Sequence, residues 1–487
     1  MAEPESELVD VVVVGLGVGG EEVAGRLAEA GLDVVGIERS LVGGECPYWG
    51  CIPSKMMIRA ANSVAEARRV NEFAGTAQVQ PDWAPVAKRI RAEATDTWDD
   101  RVAVERFTGK GGRFVRGSGR LDGPGRVRVG DQVFQARHGI VLGTGTRPST
   151  PPIAGLADTP YWTNHQAVEV EELPGSLLVL GGGAIGLELA QVFARFGVAV
   201  TVVEAADRVL AVEEPEASEV AAAALRADGV RISTGVKAER VDHDGRVFTL
   251  VAAGGVEFTA EKLLVVTGRR AHLDELGLDG VGVDPSQRYL AVDDRMRAAE
   301  GLWAVGDLTG EGAFTHIAMY QAAIVVADVL DHVRRARSGP DASGTASAVG
   351  GAASAANTAG AGIAGGVPHA DYRALPRVTF TDPEVGAVGL TERQARERGI
   401  NVQVGVSQLG SSTRGWIHRA DGLIKLIADA DRGVLVGATS VGPAGGEVLS
   451  GLVVAVHAAV PLPQLRNMIY AYPTFHRAIE DALRNLR

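Results

Sequence analysis

A glycine-rich pattern that occurs twice constrains the fold of this 487-residue chain more than any other feature. Each copy combines an apolar strand, a G-x-G-x-x-G turn, a helix and a second strand that leads to a glutamate. The positions are Gly15, Gly17, Gly20 and Glu38 in the first copy and Gly181, Gly183, Gly186 and Glu204 in the second. Such glycines permit a tight turn and let a helix N-terminus approach a pyrophosphate, and the acid accepts hydrogen bonds from a ribose. The sequence therefore predicts two dinucleotide-binding units on parallel sheets, with purely structural glycine turns as the alternative.

The charge of Glu204 predicts which nucleotide the second unit prefers. A carboxylate at this position would repel a 2′-phosphate while it binds a free 2′-hydroxyl. We therefore expect NAD(H) to bind better than NADP(H). Arg208, four residues after Glu204, carries a positive charge that could attract a 2′-phosphate, which weakens the expected preference for NAD(H).

Both cysteines of the chain, Cys46 and Cys51, lie in one short stretch. Their spacing on a regular helix would turn the side chains apart, so a bond between them requires an irregular turn before a helix begins. Gly50 and Pro53 suit that turn. Pro53 favours the first position of a helix that continues over residues 54–61, and the N-terminal dipole of this helix would favour a thiolate. A reducible disulfide is one interpretation, and two buried structural cysteines or half of a zinc site are the others. Zinc needs about four ligands, and no second Cys or His cluster has ligand spacing, so no metal site is predicted.

Composition and charge exclude several classes of protein. The net charge of -12 argues against a nucleic-acid partner, which usually requires a basic patch. The N-terminal residues are acidic, and the apolar run at 9–18 is interrupted, so no secretory signal is predicted. Polar and charged residues also interrupt the apolar-rich stretch at 177–203, which argues against a membrane span. We expect a cytoplasmic protein, in which two cysteines suit a catalytic disulfide better than a structural one.

Local patterns predict further elements along the chain. Residues 83–107 predict one long helix with a polar side. Residues 338–366 are almost entirely Gly, Ala, Ser and Thr, which predicts a flexible insert that cannot bury enough apolar surface to order itself. The region beyond predicts an α+β domain, in which Thr391 and Gln394 form a capping box and a last helix spans 474–486.

The stretch from Gly43 to Lys55, with Cys46-x4-Cys51 followed by Ile-Pro-Ser-Lys, is similar to the class I pyridine nucleotide-disulfide oxidoreductases. This is the flavoprotein family of dihydrolipoamide dehydrogenase, glutathione reductase and mercuric reductase, and the resemblance covers nearly the whole chain apart from the insert. It implies an α/β fold with two Rossmann-like dinucleotide-binding domains, for FAD and NAD, and a C-terminal α+β dimerisation domain. The implied boundaries are 1–150 for the FAD-binding domain, 151–275 for the NAD(P)-binding domain, 276–370 for the return to the FAD or central domain, and 371–487 for the dimerisation domain.

The resemblance also implies roles for individual residues. The first glycine motif and Glu38 would bind the ADP part of FAD, Gly306 and Asp307 its ribityl chain, and the second motif the nicotinamide nucleotide. Further implied cofactor-binding positions are Gly44, Thr144, Gly145 and Gly268. Lys55 would lie near the flavin in a buried charge pair with Glu188, which favours the reduced, anionic flavin. The last domain would form a two-fold homodimer and complete each active site in the partner subunit.

The implied electron path runs from NADH through FAD to Cys51, the flavin-side thiol, after which Cys46 attacks a substrate. The C-terminal segment departs from the family pattern of a His base followed by a Glu. Tyr472 stands at the base position and Arg477 at the acid position, and a phenol with a pKa of about 10 is a poor base at neutral pH. His476 could replace the base, with a packing or surface histidine as the alternative.

The leading hypothesis is a FAD-dependent oxidoreductase that passes electrons from NADH through a Cys46-Cys51 disulfide to a disulfide or another small acceptor. The alternative is a flavin-level NAD(P)H transhydrogenase or a quinone or metal-ion reductase, because Tyr472 is similar to the residue of mercuric reductases and soluble transhydrogenases. A non-catalytic redox sensor or scaffold is a hypothesis from another class. The sequence does not identify the acceptor.

Overall fold

The computed structural model describes residues 6–338 and 367–487. The chain divides into two compact units, each assembled from three stretches. The first unit contains the described residues within Met1–Tyr48, Thr95–Arg147 and Arg269–Asp371, and the second contains Trp49–Ala94, Pro148–Gly268 and Tyr372–Arg487. The four predicted domain ranges stay predictions. The predicted insert at 338–366 lies, after its first residue, outside the described part of the chain.

The first unit contains a mixed sheet with a parallel centre. Its strands, in hydrogen-bonding order, are Arg297–Ala299, Leu302–Ala304, Gln132–Leu142, Ser6–Val14, Val34–Glu38 and Arg113–Arg116, with Arg120–Leu121 and Arg126–Val129 joined beside Gln132–Leu142. Its helices are Val18–Glu29, Glu45–Tyr48, Arg101–Gly109 and Thr315–Ser338, with 3₁₀ turns at Asp96–Trp98, Leu273–Glu275, Leu278–Val281 and Gly306–Thr309. Short strands at Arg147–Pro148 and Arg269–Arg270 lie where the chain passes from one unit to the other.

The central strand Ser6–Val14 is buried on both faces, which explains its nearly continuous run of valines. Val11 and Val13 belong to one apolar cluster, which also contains residues of the helices Val18–Glu29 and Thr315–Ser338. Alternate residues of the strand contribute to a second cluster, with Val12 as an example. A parallel strand covered on both sides must be apolar at successive positions, since neighbouring side chains point to opposite faces.

The second unit contains one parallel and two antiparallel sheets. The parallel sheet has the order Arg231–Ser233, Ala199–Val203, Ser176–Leu180 and Lys262–Val265. The antiparallel sheets have the orders Ala238–His243, Phe248–Ala252, Glu257–Ala260 and Pro376–Thr379, Glu384–Gly389, Val434–Gly442, Leu423–Asp429, Val402–Gln408. The helices are Cys51–Phe73, Ala84–Arg89, Asn164–Glu169, Ala184–Arg195, Pro215–Ala227, Glu392–Glu397, Thr413–His418, Gly445–His457, Leu462–Arg466 and Ala478–Arg484, with a π-helix at Ile90–Ala94 and 3₁₀ turns at Leu156–Asp158 and Leu409–Ser411.

The predicted long helix at 83–107 is wrong. The chain forms the helix Ala84–Arg89, a π-helical turn, the 3₁₀ turn Asp96–Trp98 and the helix Arg101–Gly109. Thr97 has φ 60° and ψ 36°, a left-handed conformation that a right-handed helix cannot contain. The predicted last helix is also shorter than expected, because it begins at Ala478. The capping box of Thr391 and Gln394 is confirmed, with both of its hydrogen bonds present.

A buried lysine joins three elements of the second unit. Lys425, on the strand Leu423–Asp429, is 3% exposed, and its Nζ lies 2.9 Å from Glu214 Oε2, 2.8 Å from Glu216 Oε1 and 3.0 Å from Glu392 Oε2. The glutamates stand at the starts of the helices Pro215–Ala227 and Glu392–Glu397. The hydrogen bonds that the Lys425 ammonium donates to three carboxylates outweigh the effect of burial, so the pKa of Lys425 lies above its usual value.

Candidate active site and nucleotide-binding turns

The first glycine turn lies at the end of the strand Ser6–Val14, where the backbone packs too closely for side chains. Gly15 has φ +89°, and a Cβ there would lie 2.6 Å from the carbonyl carbon of Gly143. A Cβ on Gly20 would lie 1.9 Å from the Gly15 oxygen. At Gly17 the nearest such atom is 3.8 Å away, so this glycine faces more open space. Two glycines therefore shape the turn, and the third leaves room for a ligand to approach the helix N-terminus.

Glu38 holds this turn through its carboxylate. Its Oε2 accepts a hydrogen bond from Leu16 N at 2.8 Å, and its Oε1 accepts one from Ser40 N at 2.7 Å. A carboxylate has about four lone-pair positions, so each oxygen retains capacity to accept a ribose hydroxyl. The two backbone donors hold the carboxylate in a defined orientation.

The other predicted flavin-binding residues lie in the same unit. A Cβ on Gly44 would lie 2.9 Å from Gly17 Cα, whereas Gly145, directly after Thr144, has φ +63° and nothing within 4 Å of its Cβ direction. Gly306 has φ +78°, and its N donates to Gln321 Oε1 at 2.7 Å. The positive φ angles of Gly145 and Gly306 and the close approach of Gly44 to Gly17 are conditions that glycine meets without strain or steric overlap.

Asp307 is a partly buried carboxylate whose charge is incompletely compensated. Its Oδ2 accepts a hydrogen bond from Thr146 Oγ1 at 2.9 Å, and Arg269 Nε lies 3.8 Å away. Burial raises the pKa of Asp307 above its usual value, against the lowering effects of the Thr146 hydroxyl and the Arg269 guanidinium. A further hydrogen-bond donor would stabilise this buried carboxylate, so we expect Asp307 to accept a hydrogen bond from a bound ligand.

The second glycine turn, in the second unit, repeats the geometry of the first. Gly181 has φ +116°, and its Cβ would lie 2.6 Å from the Val266 oxygen. A Cβ on Gly186 would lie 2.3 Å from the Gly181 oxygen, whereas Gly183 has no atom within 4 Å of that position. Gly268, at φ +129°, also faces open space. The arrangement fits a second dinucleotide, because the tight positions shape the turn and the open ones leave space for the ligand.

Glu204 repeats the contacts of Glu38. Its Oε2 accepts from Gly182 N at 2.5 Å and its Oε1 from Ala206 N at 2.7 Å. Arg208 bends back onto its own loop, where its guanidinium donates to the carbonyl oxygens of Leu210 at 3.0 Å and Ala211 at 2.9 Å. The cation that could favour a 2′-phosphate is therefore already engaged by the protein.

The two cysteines are separated by a break between helices. Cys46 is partly buried in the short helix Glu45–Tyr48 of the first unit, and Cys51 is exposed at the first residue of the helix Cys51–Phe73 in the second. The prediction that Pro53 opens this helix is wrong by two residues, because the helical turn already includes Cys51. This position places the Cys51 thiol in the first turn, where the helix dipole favours a thiolate. Within residues 6–338 and 367–487, no group of His, Cys, Asp and Glu is arranged to hold a metal ion.

The predicted pair of Lys55 and Glu188 is confirmed. Lys55 Nζ lies 2.8 Å from Glu188 Oε2, with side chains that are 35% and 6% exposed. Glu188 Oε1 accepts a hydrogen bond from Phe380 N at 2.8 Å, and Lys55 Nζ also lies 4.5 Å from the Phe380 ring centroid. Phe380 was missed by the sequence analysis, since nothing local marks a backbone donor so far along the chain.

The C-terminal residues at and near the family's base position are exposed or partly buried in the second unit. Tyr472 is 67% exposed, and its hydroxyl donates to Thr413 Oγ1 at 3.2 Å. His476 is partly buried, with its ring centroid 6.3 Å from that of Tyr470. Arg477 forms an ion pair with Glu480 at 2.8 Å, and its guanidinium carbon lies 5.7 Å from the Tyr472 ring centroid. The catalytic roles of Tyr472 and His476 stay predictions.

Comparison with known protein families assigns the chain. The model of the pyridine nucleotide-disulphide oxidoreductases matches residues 9–322, and the model of their dimerisation domain matches residues 375–483. The chain belongs to this family. The family resemblance inferred from the cysteine motif and the α/β fold with a C-terminal dimerisation domain are thereby confirmed.

Individual relatives of this oxidoreductase cover almost its whole length. The dihydrolipoyl dehydrogenase of Halobacterium salinarum is 33% identical over 97% of this chain and 95% of its own. The mercuric reductase of Streptomyces lividans is 32% identical over the same shares of the two chains. Among solved structures, the HOCl-induced flavoprotein disulfide reductase RclA of Escherichia coli, in its Cu(II) complex, has a TM-score of 0.80 and 26% identity, and covers 98% of this chain and 99% of its own.

These findings establish the class of reaction that this oxidoreductase catalyses. It is an NAD(P)H-dependent flavoprotein of the disulfide oxidoreductase family, and the alternative hypotheses are not favoured. It binds a flavin and a pyridine nucleotide. The dimerisation domain supports a homodimer. None of the helices in the described part of the chain has the length and apolar character that crossing a membrane requires.

Proposed function

We propose that this oxidoreductase prefers NADH, binds FAD and reduces its acceptor through a Cys46-Cys51 disulfide. The observation that carries the proposal is the start of the helix Cys51–Phe73, which places the second thiol at a helix N-terminus and Lys55 one turn further on. Glu188 holds Lys55 at 2.8 Å, so a fixed cation follows the thiol on the same helix. Both features favour an anionic sulfur.

The chain's residues would act in two steps. Bound FAD supplies hydride acceptance from the nicotinamide and delivery of an electron pair. The sulfur-sulfur bond takes up that pair and two protons to give the thiols of Cys46 and Cys51. Cys46 then attacks an acceptor disulfide as the thiolate, the acceptor leaves as a thiol after protonation, and Cys51 closes the disulfide again with release of the second acceptor thiol.

The environment of the acceptor follows from the C-terminal segment. Tyr472 is exposed on one subunit, and we place it at the active site of the partner subunit in a homodimer, where it would contact the acceptor rather than act as a base. We place the activity in the cytoplasm, where disulfides are mostly catalytic or redox-sensing.

An anaerobic titration with NADH tests the disulfide route. The wild type should take up one electron pair more than its flavin alone can hold, and Cys46→Ala and Cys51→Ala should each lose that additional pair. Equal uptake by all three proteins contradicts the route through the cysteines. Steady-state assays with glutathione disulfide, lipoamide and a soluble quinone then identify the acceptor class, and cysteine-independent turnover of the quinone alone would favour direct transfer from the flavin.

The NADH preference rests on Glu204. Glu204→Ala removes the carboxylate that would repel a 2′-phosphate, so the ratio of kcat/KM for NADH to that for NADPH should fall about tenfold, or about 1.4 kcal/mol. Arg208→Ala is the matched control, since it also loses two hydrogen bonds of the same loop and should leave the ratio unchanged. A ratio that responds to Arg208→Ala and not to Glu204→Ala overturns the assignment.

A further inference from the structure

The segment between the two thiols consists of the end of one helix and the start of the next. The helix Glu45–Tyr48 ends at Tyr48, and the helix Cys51–Phe73 begins at Cys51, so Trp49 and Gly50 are the only non-helical residues between them. The backbone of these two residues is the link that sets where the helix of Cys51 begins relative to the helix of Cys46 in the chain. A group that fixes Trp49 therefore also restricts Cys51.

Trp49 is held by three contacts from one short helix of the second unit. Its indole Nε1 donates to Glu169 Oε1 at 2.7 Å, and its carbonyl oxygen accepts from Asn164 Nδ2 at 3.0 Å. Its ring lies parallel to the His165 ring, with 4.2 Å between centroids and 2° between planes. We call Trp49, Asn164, His165 and Glu169 the Trp49 clamp. The backbone, the ring face and the ring edge of Trp49 are each engaged.

The helix Asn164–Glu169 that carries the clamp is itself well fixed. Thr163 forms a capping box with Gln166, in which the threonine hydroxyl accepts from His165 N and the glutamine oxygen accepts from Thr163 N. Asn164 is buried, and so are Ala167 and Val168 on the same helix. A buried side chain with restricted rotamers holds its hydrogen-bond partner more firmly than an exposed one.

We infer that the Trp49 clamp positions Cys51 for disulfide formation and so sets the equilibrium between the disulfide and the dithiol of the active site. The inference rests on the proposed function of Cys46 and Cys51 as a redox couple. Trp49, Asn164 and Glu169 are positioning residues in this assignment, because they act through the backbone that leads to Cys51.

The expected direction follows from the geometry of a disulfide. A bond between two cysteines requires their Cα atoms to lie about 4.4–6.8 Å apart with a restricted dihedral angle. A clamp that limits the motion of the connecting turn lowers the entropy lost on closing the bond, so it favours the disulfide. Loosening the turn should shift the equilibrium toward the dithiol and raise the reduction potential of the couple.

The test measures this equilibrium on the flavin-loaded, full-length protein. Protein is equilibrated anaerobically in dithiothreitol redox buffers, trapped with an alkylating reagent and analysed by mass spectrometry for alkylation of Cys46 and Cys51. Trp49→Phe and Asn164→Ala should each shift the equilibrium about tenfold toward the dithiol, which corresponds to about 30 mV for a two-electron couple. Glu169→Ala should shift it in the same direction, and Glu169→Gln, which retains the acceptor oxygen, should restore the wild-type value.

Trp83→Phe is the matched control. Trp83 Nε1 donates to the Val170 oxygen at 2.9 Å, directly after the clamp helix, and its substitution removes the same indole donor without touching the turn between the thiols. It should keep the wild-type equilibrium, and flavin content and unfolding temperature are recorded for every variant. Clamp variants that retain flavin and the wild-type equilibrium overturn the inference, and so does an equal shift in Trp83→Phe. A wild type without any reversible dithiol couple refutes the proposed function itself and the inference with it.

Discussion

Lys425→Met should destabilise the second unit strongly, because it leaves a buried carboxylate without its counter-charge. Glu214, which is 3% exposed, loses its ammonium partner at 2.9 Å and cannot reach water. Breaking a buried ion pair by removing one partner costs about 3–5 kcal/mol. Glu216 and Glu392 are 38% and 30% exposed, so water screens their share of the loss. We therefore expect a destabilisation of about 3–5 kcal/mol, dominated by Glu214.

The loss of stability in Lys425→Met should depend on pH, and the pKa of Glu392 gives the direction of this dependence. Burial alone would raise the pKa of Glu392, but hydrogen bonds from Lys425 and Arg396 outweigh it, so the pKa lies below the ordinary value of 4.5. A carboxylate with a lowered pKa contributes stability above its ordinary pKa and loses it as the pH falls through the folded-state value. The difference between wild type and Lys425→Met should accordingly be largest near neutral pH and shrink below about pH 4.5.

Urea unfolding followed by circular dichroism measures the effect, as a shift in midpoint at unchanged slope. Lys88→Met is the control, since the same substitution at an exposed lysine should change the stability by less than about 0.5 kcal/mol. Adding Glu214→Gln to Lys425→Met should recover at least half of the loss, because the uncompensated charge is removed. A loss below about 1 kcal/mol, or no recovery in the double variant, would refute the reasoning.

Three further predictions concern the nucleotide turns and the charge pair. Gly183→Ala should leave the unfolding temperature unchanged but raise the KM for NADH at least tenfold. Gly186→Ala, whose Cβ would lie 2.3 Å from a backbone oxygen, should instead lower the unfolding temperature. Equal behaviour of the two variants contradicts the distinction between a glycine that faces the ligand and a glycine that shapes the turn. Glu188→Gln should slow flavin reduction by NADH about tenfold in stopped flow, because Lys55 loses its counter-charge; an unchanged rate counts against a role for the pair. Asp307→Asn should raise the unfolding temperature of the flavin-free protein at pH 7 by about 1–3 °C and weaken flavin retention. A carboxylate whose pKa is raised loses its contribution to folding stability as the pH rises through the folded-state pKa, so the charged Asp307 is a cost at pH 7. A lower unfolding temperature of the variant would contradict this reasoning.

The glycine turns could be predicted because their requirements are local. A strand, a turn that excludes Cβ atoms and a helix follow each other within one short stretch, and at both Gly20 and Gly186 the added Cβ would overlap the first glycine's oxygen. The prediction of one long helix at 83–107 failed because Thr97 adopts a left-handed conformation, which helix propensity does not reveal.

The candidate site required information from distant parts of the chain. Lys55 and Glu188 are 133 residues apart, and only the family resemblance paired them. Phe380, 192 residues from Glu188, contributes a backbone N–H, and any residue type except proline has that group. The Trp49 clamp was missed for the same reason, because nothing in the helix Asn164–Glu169 marks it as the partner of a tryptophan so far away in the chain.

The paired hydrogen bonds of Glu38 and Glu204 have a consequence for the dynamics of ligand binding. Each carboxylate accepts a hydrogen bond from one backbone amide of its glycine turn and from one amide just after its own strand, so groups of the protein itself hold each turn. Hydrogen exchange at Leu16 and Gly182 should therefore be slow in the nucleotide-free state and change little on binding. Each turn then loses its conformational entropy when the protein folds and not when the nucleotide binds, so the nucleotide binds to a turn that is already in its binding conformation.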